Sequence, residues 1–473
     1  MIIDSSLVLQ EHRIQSLLSA AREQAQRGRG PVLVSVVQRA PVYDPIAFFE
    51  RGAELADDRL FWSSPGAEIA IAGVDAAWRL VAEGPRRFEQ AAASWRALCA
   101  EAVIDNRSDL PATGPILMGG FAFDPTRPPT ELWQGYPDGL MVLPRYMLTC
   151  QDGESWLTIN TLVWPDSDLL SEVDIALRVA DLFDGELDRS DFEPADGELR
   201  TEDVPPAEQW KELVRSLERD LRHGDLRKVV LARQCLVHGD RPFDPARALA
   251  RLRDGYADCF IFAVAHGSRC FLGASPERLV RLSRGTVRAT CLAGSIARGA
   301  TPELDRRLGE ELLASAKDRA EHAFVVRAIS DALADAGVAC APLGAQTLMK
   351  LRNVQHLFTP VVGQAPGDLN ILELVERLHP TPAVGGYPRA AALPVIAQRE
   401  RLDRGWYAGP IGWMDARGDG EFAVAIRSAL LRGAEAALFA GCGLVAGSDP
   451  EREYVESSLK LRPMLSVLGG SMS

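Results

Sequence analysis

Residues 207–466 alternate between two kinds of pattern, and this alternation limits the possible folds more than any other feature. Apolar residues recur at helical spacing within Trp210–Leu221, and the run Lys228–Arg233 that follows is typical of a buried strand. Two further apolar runs, Cys259–Val264 and Cys270–Gly273, predict a hairpin. Such a mixture of helices and strands predicts an α/β or α+β sheet protein.

Further elements follow towards the C-terminal end. Pro302–Gly337 carries one long helical pattern with charged faces and predicts a single helix. An apolar strand within Leu430–Ala440 precedes a glycine-rich segment, Gly441–Gly447, which we interpret as a turn. Asp449 and Pro450 then predict the N-cap and the first residue of another helix.

The chain divides into three parts by composition. Residues 1–190 contain short β-branched runs, such as Pro31–Val37 and Trp156–Asn160, and are expected to contribute strands to a common fold. Residues 191–206 are acidic, contain proline and predict an exposed connector. Residues 207–466 hold the clustered polar groups and are predicted to be the catalytic region.

Charge and cysteine usage exclude several classes of protein. The 473 residues carry a net charge of −13 and no dense Lys/Arg run, which argues against nucleic-acid binding. No apolar run approaches the roughly 18 residues that span a bilayer, and Met1–Asp4 begins no signal peptide, so we expect no membrane association and a cytoplasmic location. The eight cysteines form no C-x-x-C pair and are predicted to be reduced core thiols.

The last predicted helix carries the most informative polar face. Glu453, Glu456 and Lys460 stand at i, i+3 and i+7 and therefore project from one side of a helix. A solvated surface with a weak ion pair is one interpretation. The other is a site in which two carboxylates hold Mg²⁺ beside an anionic substrate, with Glu321 on the preceding long helical pattern completing the set.

Lysine is rare, since only five of the 52 basic residues are lysines, so each of them is worth examining. Lys211 is interpreted as ordinary surface. Lys228, at the start of a strand, either extends to solvent or acts as a partly desolvated base. Glu277 follows a strand and a turn, and either pairs with its neighbour Arg278 or acts as an acid opposite the base.

The glycines of Gly441–Gly447 have the spacing G-x-G-x-x-x-G, which differs from the dinucleotide-binding G-x-G-x-x-G. A nucleotide-binding or non-catalytic protein therefore remains the rival class. The histidines lack the spacing of zinc ligands.

Several motifs occur together in one order along the chain. They are Lys228–Arg233, Gly273–Arg278, Leu292–Ser295, Lys317–His322, Asn353–Leu357, His379–Gly386, Gly405–Gly409 and Gly441–Lys460. This set resembles the chorismate-utilising enzymes, and the isochorismate synthases among them. The resemblance implies a single large α/β (α+β) domain of two packed β-sheets flanked by helices, and Mg²⁺-dependent conversion of chorismate to isochorismate.

Three positions distinguish members of that family. Anthranilate and aminodeoxychorismate synthases carry glutamine in place of Lys228, and the latter place a nucleophilic lysine at the position of Ala293. Members that eliminate pyruvate typically carry threonine at the position of Ala383. The resemblance therefore favours isochorismate synthase, with salicylate synthase as the alternative. It implies no glutamine amidotransferase subunit, and it leaves open whether the product serves menaquinone, siderophore or salicylate synthesis.

The resemblance also implies individual roles. Lys228 would be the base that activates water, and Glu277 the acid that protonates the departing hydroxyl. Glu321, Glu453 and Glu456 would form the Mg²⁺ site, in which Glu321 and Glu456 hold the ion beside the ring carboxylate of chorismate and Glu453 and Asp318 hold its waters. The residues implied in substrate binding are Gly294, Ser295, His356, Ala383, Tyr407, Arg427, Gly441, Gly443 and Lys460.

Overall fold

A computed structural model describes residues 5–28, 30–108, 110–128, 130–183, 199–352 and 354–469. Asn353 and the first half of the predicted connector, residues 191–198, lie outside these ranges. The helices are α1 Ser5–Gly28, α2 Pro45–Arg51, α3 Arg87–Ala100, α4 Leu169–Leu177, α5 Ala207–His223, α6 Pro245–Gly255, α7 Pro302–Ala314, α8 Ala316–Asp335, α9 Ile371–Leu378, α10 Arg389–Arg399 and α11 Pro450–Val467. None of these helices is long and apolar enough to cross a bilayer.

The strands alternate with the helices along the chain. They are β1 Val32–Ala40, β2 Asp58–Ser63, β3 Ile69–Ala82, β4 Val103–Asp105, β5 Ile116–Phe121, β6 Gly139–Gln151, β7 Glu154–Val163, β8 Arg200–Val204, β9 Lys228–His238, β10 Phe260–His266, β11 Arg269–Ser275, β12 Arg278–Ser283, β13 Thr286–Ala297, β14 Ala339–Cys340, β15 Thr347–Lys350, β16 Val354–Gln364, β17 Gly386–Tyr387, β18 Pro410–Asp415, β19 Gly420–Val424, β20 Ser428–Arg432 and β21 Glu435–Leu444.

Strand pairing connects these strands into two sheets that share β6. The first sheet has the order β4-β1-β7-β6-β3-β2-β10-β11-β20-β21-β9, with β8 and β17 on the far edge of β9. The second runs β6-β5-β18-β19-β12-β13-β16, with β14 and β15 on β16. Apart from β1 with β4, these pairs are antiparallel. Strands from residues 1–190 therefore pair directly with strands of the predicted catalytic region.

Alternation along the strands builds two hydrophobic cores. Phe262 on β10 and Phe271 on β11 point into an inner core that also contains Phe422 of the second sheet. Their neighbours Ile261 and Leu272 point the other way, into an outer core covered by helices such as α2, α6 and α11. The two sheets thus pack against each other through the inner core, and the predicted α/β fold is confirmed.

The prediction of a single helix over Pro302–Gly337 is wrong, because this segment forms two helices, α7 and α8. The chain leaves helical geometry at Ser315, whose ψ is 114°. The Ser315 hydroxyl accepts a hydrogen bond from the backbone N–H of Asp318, which caps α8. This break fixes where the polar face of α8 begins.

Three smaller expectations are also corrected. Lys211 is not ordinary surface, since its side chain is 11% exposed and pairs with Glu208 and with Glu451 of α11 at 2.9 and 2.8 Å. Cys340 is exposed, although all eight cysteines are free thiols. Residues 441–444 are the end of β21 rather than a turn, because they continue the ladder with β9.

Candidate active site

Every residue predicted for the site lines one cavity of about 390 Å³. The start of β9 supplies Lys228, the turn between β11 and β12 supplies Glu277, and α8 supplies Glu321. The remaining predicted residues come from β13, β16, β21, α11 and three connecting segments; they are Gly294, Ser295, His356, Ala383, Tyr407, Arg427, Gly441, Gly443, Glu453, Glu456 and Lys460. Elements from distant parts of the chain therefore converge here, and the roles of these residues stay predictions.

Local backbone geometry aims several of these groups into the cavity. A β-bulge interrupts the pairing of β13 with β16 between Ala293 and Ser295, and Gly294 within it has φ 75°. Arg427, in the turn before β20, also has a positive φ of 51°. On β21, a Cβ at Gly443 would lie 2.7 Å from Cε of Lys228, so glycine leaves room for that lysine.

Lys228 does not extend to solvent. Its side chain is 2% exposed, and its Nζ lies 2.7 Å from the carboxylate of Glu321 on α8. A carboxylate at this distance offsets part of the cost of burying the charged amine. The solvated interpretation of Lys228 is therefore wrong, and the lysine sits as a buried group at the wall of the cavity.

Glu277 is also buried, at 4% exposure, and it does not pair with its neighbour. Arg278 instead contacts Glu421 at 2.7 Å. Burial raises the pKa of Glu277 to about 7, although the positive charge of Lys228 and a hydrogen bond from Thr381 act in the opposite direction. A carboxyl with this pKa is partly protonated at neutral pH and can donate a proton.

Two acidic groups on α11 form a candidate cation site. Ligand atoms of Glu453, Glu456 and Cys442 all lie within 4.8 Å of one another. Burial and the negative charge of Glu456 raise the pKa of Glu453 to about 7, so the two carboxylates repel each other. Glu321, the third predicted ligand, lines the same cavity but lies outside this group and pairs with Lys228.

Cys442 is a neighbour that the sequence patterns missed, and its thiol is not a competing ligand. Burial raises the pKa of Cys442 well above its ordinary value, and Sγ donates a hydrogen bond to the carbonyl of Glu453 at 3.1 Å. The charged donors are therefore carboxylate oxygens, which suit Mg²⁺ better than zinc.

Cationic groups line the cavity beside these acids. Lys460 lies 2.7 Å from Glu456 and donates a hydrogen bond to the carbonyl of Gly441 at 2.9 Å. Burial lowers the pKa of Arg427 from its ordinary value, and burial raises the pKa of Tyr407 to about 12. A desolvated guanidinium is stabilised by an anion, so this wall is suited to carboxylates of a small molecule.

His356 offers a neutral polar edge. Its Nδ1 lies 2.9 Å from the hydroxyl of Ser295, whereas Nε2 is buried and has no hydrogen-bond partner among the described residues. Burial lowers the pKa of His356 to about 3, so the ring is uncharged at neutral pH. The free ring nitrogen can therefore hydrogen-bond to a polar group of a ligand.

Several lining residues had no predicted role. Arg404 carries no free charge, because it is buried against Glu400 at 2.6 Å and donates to the carbonyls of Val384 and Val230. Its i, i+4 spacing from Glu400 was the available signal. Arg452 lines this cavity and also a larger, adjacent one of about 1060 Å³, so it stands where the two meet.

Comparison with known proteins agrees with this architecture. The family model described as "Chorismate binding enzyme" matches residues 17–469. The chain is 37% identical to isochorismate synthase MenF of Bacillus subtilis, covering 95% of this chain and 96% of that protein. It is 39% identical to the salicylate biosynthesis isochorismate synthase of Pseudomonas aeruginosa, over 97% and 95% of the two chains.

Solved structures give the same result. The menaquinone-specific isochorismate synthase MenF of Escherichia coli superposes with a TM-score of 0.78 at 26% identity, covering 96% of this chain and 100% of that one. Anthranilate synthase component I of Streptococcus pneumoniae shares the fold, with a TM-score of 0.66 at 21% identity. Sequence and fold thus agree over nearly the whole length, and the chain belongs to the chorismate-binding enzyme family.

Proposed function

We propose that this enzyme is an isochorismate synthase, which adds water at C2 of chorismate and releases the hydroxyl from C4. One observation carries the proposal. The buried Lys228 and the buried Glu277, whose pKa is raised, line the same small cavity as the cationic side chains of Arg427 and Lys460. The full-length relatives named as isochorismate synthases support the same reaction.

Chorismate carries two carboxylates, and the cavity offers separate groups for them. Arg427, Lys460 and the hydroxyl of Tyr407 provide charged and neutral donors on one wall. The cavity is also lined by three glycines, Gly294, Gly441 and Gly443. Because glycine has no side chain, the substrate would be able to approach their backbone atoms closely. Charge-assisted hydrogen bonds of this kind fix the orientation of the ring.

Mg²⁺ fits the acidic side of the cavity. Glu453 and Glu456 would hold it, joined by Glu321, and Asp318 lines the cavity nearby for a bound water. When bound, the cation supplies positive charge that neutralises these carboxylates and a carboxylate of the substrate. The repulsion between Glu453 and Glu456 supports this assignment.

The reaction then needs one base and one acid. Lys228 would accept a proton from water while the oxygen bonds to C2, the ring double bonds shift, and the C4–O bond breaks. Glu277 would give its proton to the departing oxygen, which leaves as water. Lys228 can accept this proton only in its uncharged form.

Turnover of chorismate by a lysine variant tests the base. Lys228→Gln leaves a polar, slightly shorter side chain that cannot accept the proton, so isochorismate formation should fall at least about 100-fold. Lys350→Gln is the matched control, since Lys350 pairs with Asp305 away from the cavity. Full activity in Lys228→Gln would contradict the assignment.

A chelator titration tests the metal. Activity should disappear in excess EDTA and return when Mg²⁺ is added beyond the chelator. Undiminished turnover in saturating chelator would contradict the assignment of Glu453 and Glu456.

A further inference from the structure

A buried arginine lies behind the acidic face of α11, outside the cavity. Arg233 on β9 is 1% exposed. Its Nε and Nη2 donate to the hydroxyls of Ser457 and Ser458 on α11, both at 2.8 Å. Its Nη1 donates to Asp203 of β8 at 2.5 Å. One guanidinium therefore joins a strand of the first sheet, the last helix and the edge strand β8.

The partners of Arg233 are themselves fixed. The hydroxyls of Ser457 and Ser458 each donate to the carbonyl of Tyr454, at 2.8 and 2.9 Å. The guanidinium lies 4.5 Å from the centre of the Tyr454 ring, and the Tyr454 hydroxyl hydrogen-bonds to Asp203. Each member thus contacts at least two others, so displacement of one disturbs the whole cluster.

This cluster borders the groups assigned to the metal. Tyr454 directly follows Glu453, and Ser457 directly follows Glu456, so they lie on the helix face next to the acidic face. The strand that carries Arg233 begins at Lys228. Arg233 therefore fixes the rotation and height of α11 relative to the strand that supplies the proposed base.

We propose that Arg233 and Asp203 are a positioning pair for the metal-binding face of α11, an inference that rests on the proposed function. Carboxylates hold a cation well only when their geometry is kept to about half an ångström. Groups that orient metal ligands typically change metal affinity about 10- to 100-fold when removed. The end of the predicted connector, residues 199–206, thereby contributes to the site without contacting substrate.

The experiment compares metal binding and activity in the intact 473-residue chain. Mn²⁺ serves as the probe, with its free concentration followed by electron paramagnetic resonance, and Mg²⁺ activation of chorismate turnover is measured in parallel. Asp203→Asn should weaken Mn²⁺ binding at least about 10-fold and raise the Mg²⁺ requirement by a similar factor, with kcat recovering at saturating Mg²⁺. Asp203→Glu, which keeps the charge, should restore most of the affinity.

A control separates positioning from general stability. Asp58 is a buried carboxylate that pairs with Arg79, and neither residue lines the cavities. Asp58→Asn should lower the thermal unfolding temperature without changing Mn²⁺ affinity.

If Asp203→Asn does not fold, Tyr454→Phe is the second variant, because it removes only the hydroxyl that contacts Asp203. The loss of one hydrogen bond should then weaken Mn²⁺ binding about three-fold.

Folded variants that bind Mn²⁺ as tightly as the wild-type enzyme would overturn the positioning role alone. Failure of the wild-type enzyme to bind Mn²⁺ or respond to Mg²⁺ would instead overturn the metal assignment, and the positioning role with it.

Discussion

Replacing Glu277 by glutamine removes a carboxyl whose burial raises its pKa from 4.5 to about 7. A shift of this size means that ionising Glu277 costs about 3 kcal/mol more in the folded protein than in the unfolded chain. Because the folded pKa is the higher one, the stability from the protonated carboxyl is fully present below about pH 4.5. It is lost as the pH rises through about 7.

The glutamine variant has no such titration. Relative to the wild-type enzyme, its free energy of unfolding should therefore increase by about 2 kcal/mol between pH 5 and pH 8. Urea denaturation followed by tryptophan fluorescence measures this difference. Although the variant should gain stability relative to the wild-type enzyme, its kcat should be at least about 100-fold lower, because it lacks the general acid. The wild-type kcat should fall above about pH 7, where Glu277 loses its proton.

Glu89→Gln is the control, because Glu89 is exposed in the first turn of α3 and should affect neither measurement. Full activity in Glu277→Gln would refute the acid assignment. A stability difference that stays constant from pH 5 to pH 8 would refute the electrostatic reasoning itself.

Three further variants test other walls of the cavity. Arg427→Met should raise the KM for chorismate about 10-fold or more, measured by initial rates, because it removes charge-assisted hydrogen bonds; an unchanged KM would contradict substrate binding there. Gly443→Ala should lower kcat about 10-fold with little change in unfolding temperature, because a Cβ there lies 2.7 Å from Cε of Lys228; wild-type kcat would show that Lys228 is not placed by this contact. Glu456→Gln should raise the Mg²⁺ concentration for half-maximal activity at least about 10-fold, and an unchanged Mg²⁺ response would argue against its role as a ligand.

The resemblance to the chorismate-utilising enzymes predicted most of the residues that line the cavity, and sequence patterns alone predicted a smaller, local part of the site. The i, i+3, i+7 spacing of Glu453, Glu456 and Lys460 follows directly from helix geometry and needs no knowledge of the tertiary fold. The hairpin of β10 and β11 and the cap of α11 by Asp449 are equally local, and the structure contains both.

Long-range pairings could not be predicted in this way. Glu321 pairs with Lys228, and Lys211 pairs with Glu451, across separations that no periodic pattern encodes. The burial of these two lysines therefore could not be predicted, because it depends on partners from distant elements. Ser315 is different, because a serine three residues before Asp318 is a recognisable helix-start signal that the continuous pattern of Pro302–Gly337 concealed.

The most direct test of the proposed function is to identify the product. The purified enzyme is incubated with chorismate and Mg²⁺, and the mixture is separated by chromatography while pyruvate is assayed in parallel. The proposal predicts isochorismate in equilibrium with chorismate, without stoichiometric pyruvate. Salicylate with an equal amount of pyruvate would instead establish a salicylate synthase, and unchanged chorismate would contradict the proposed reaction.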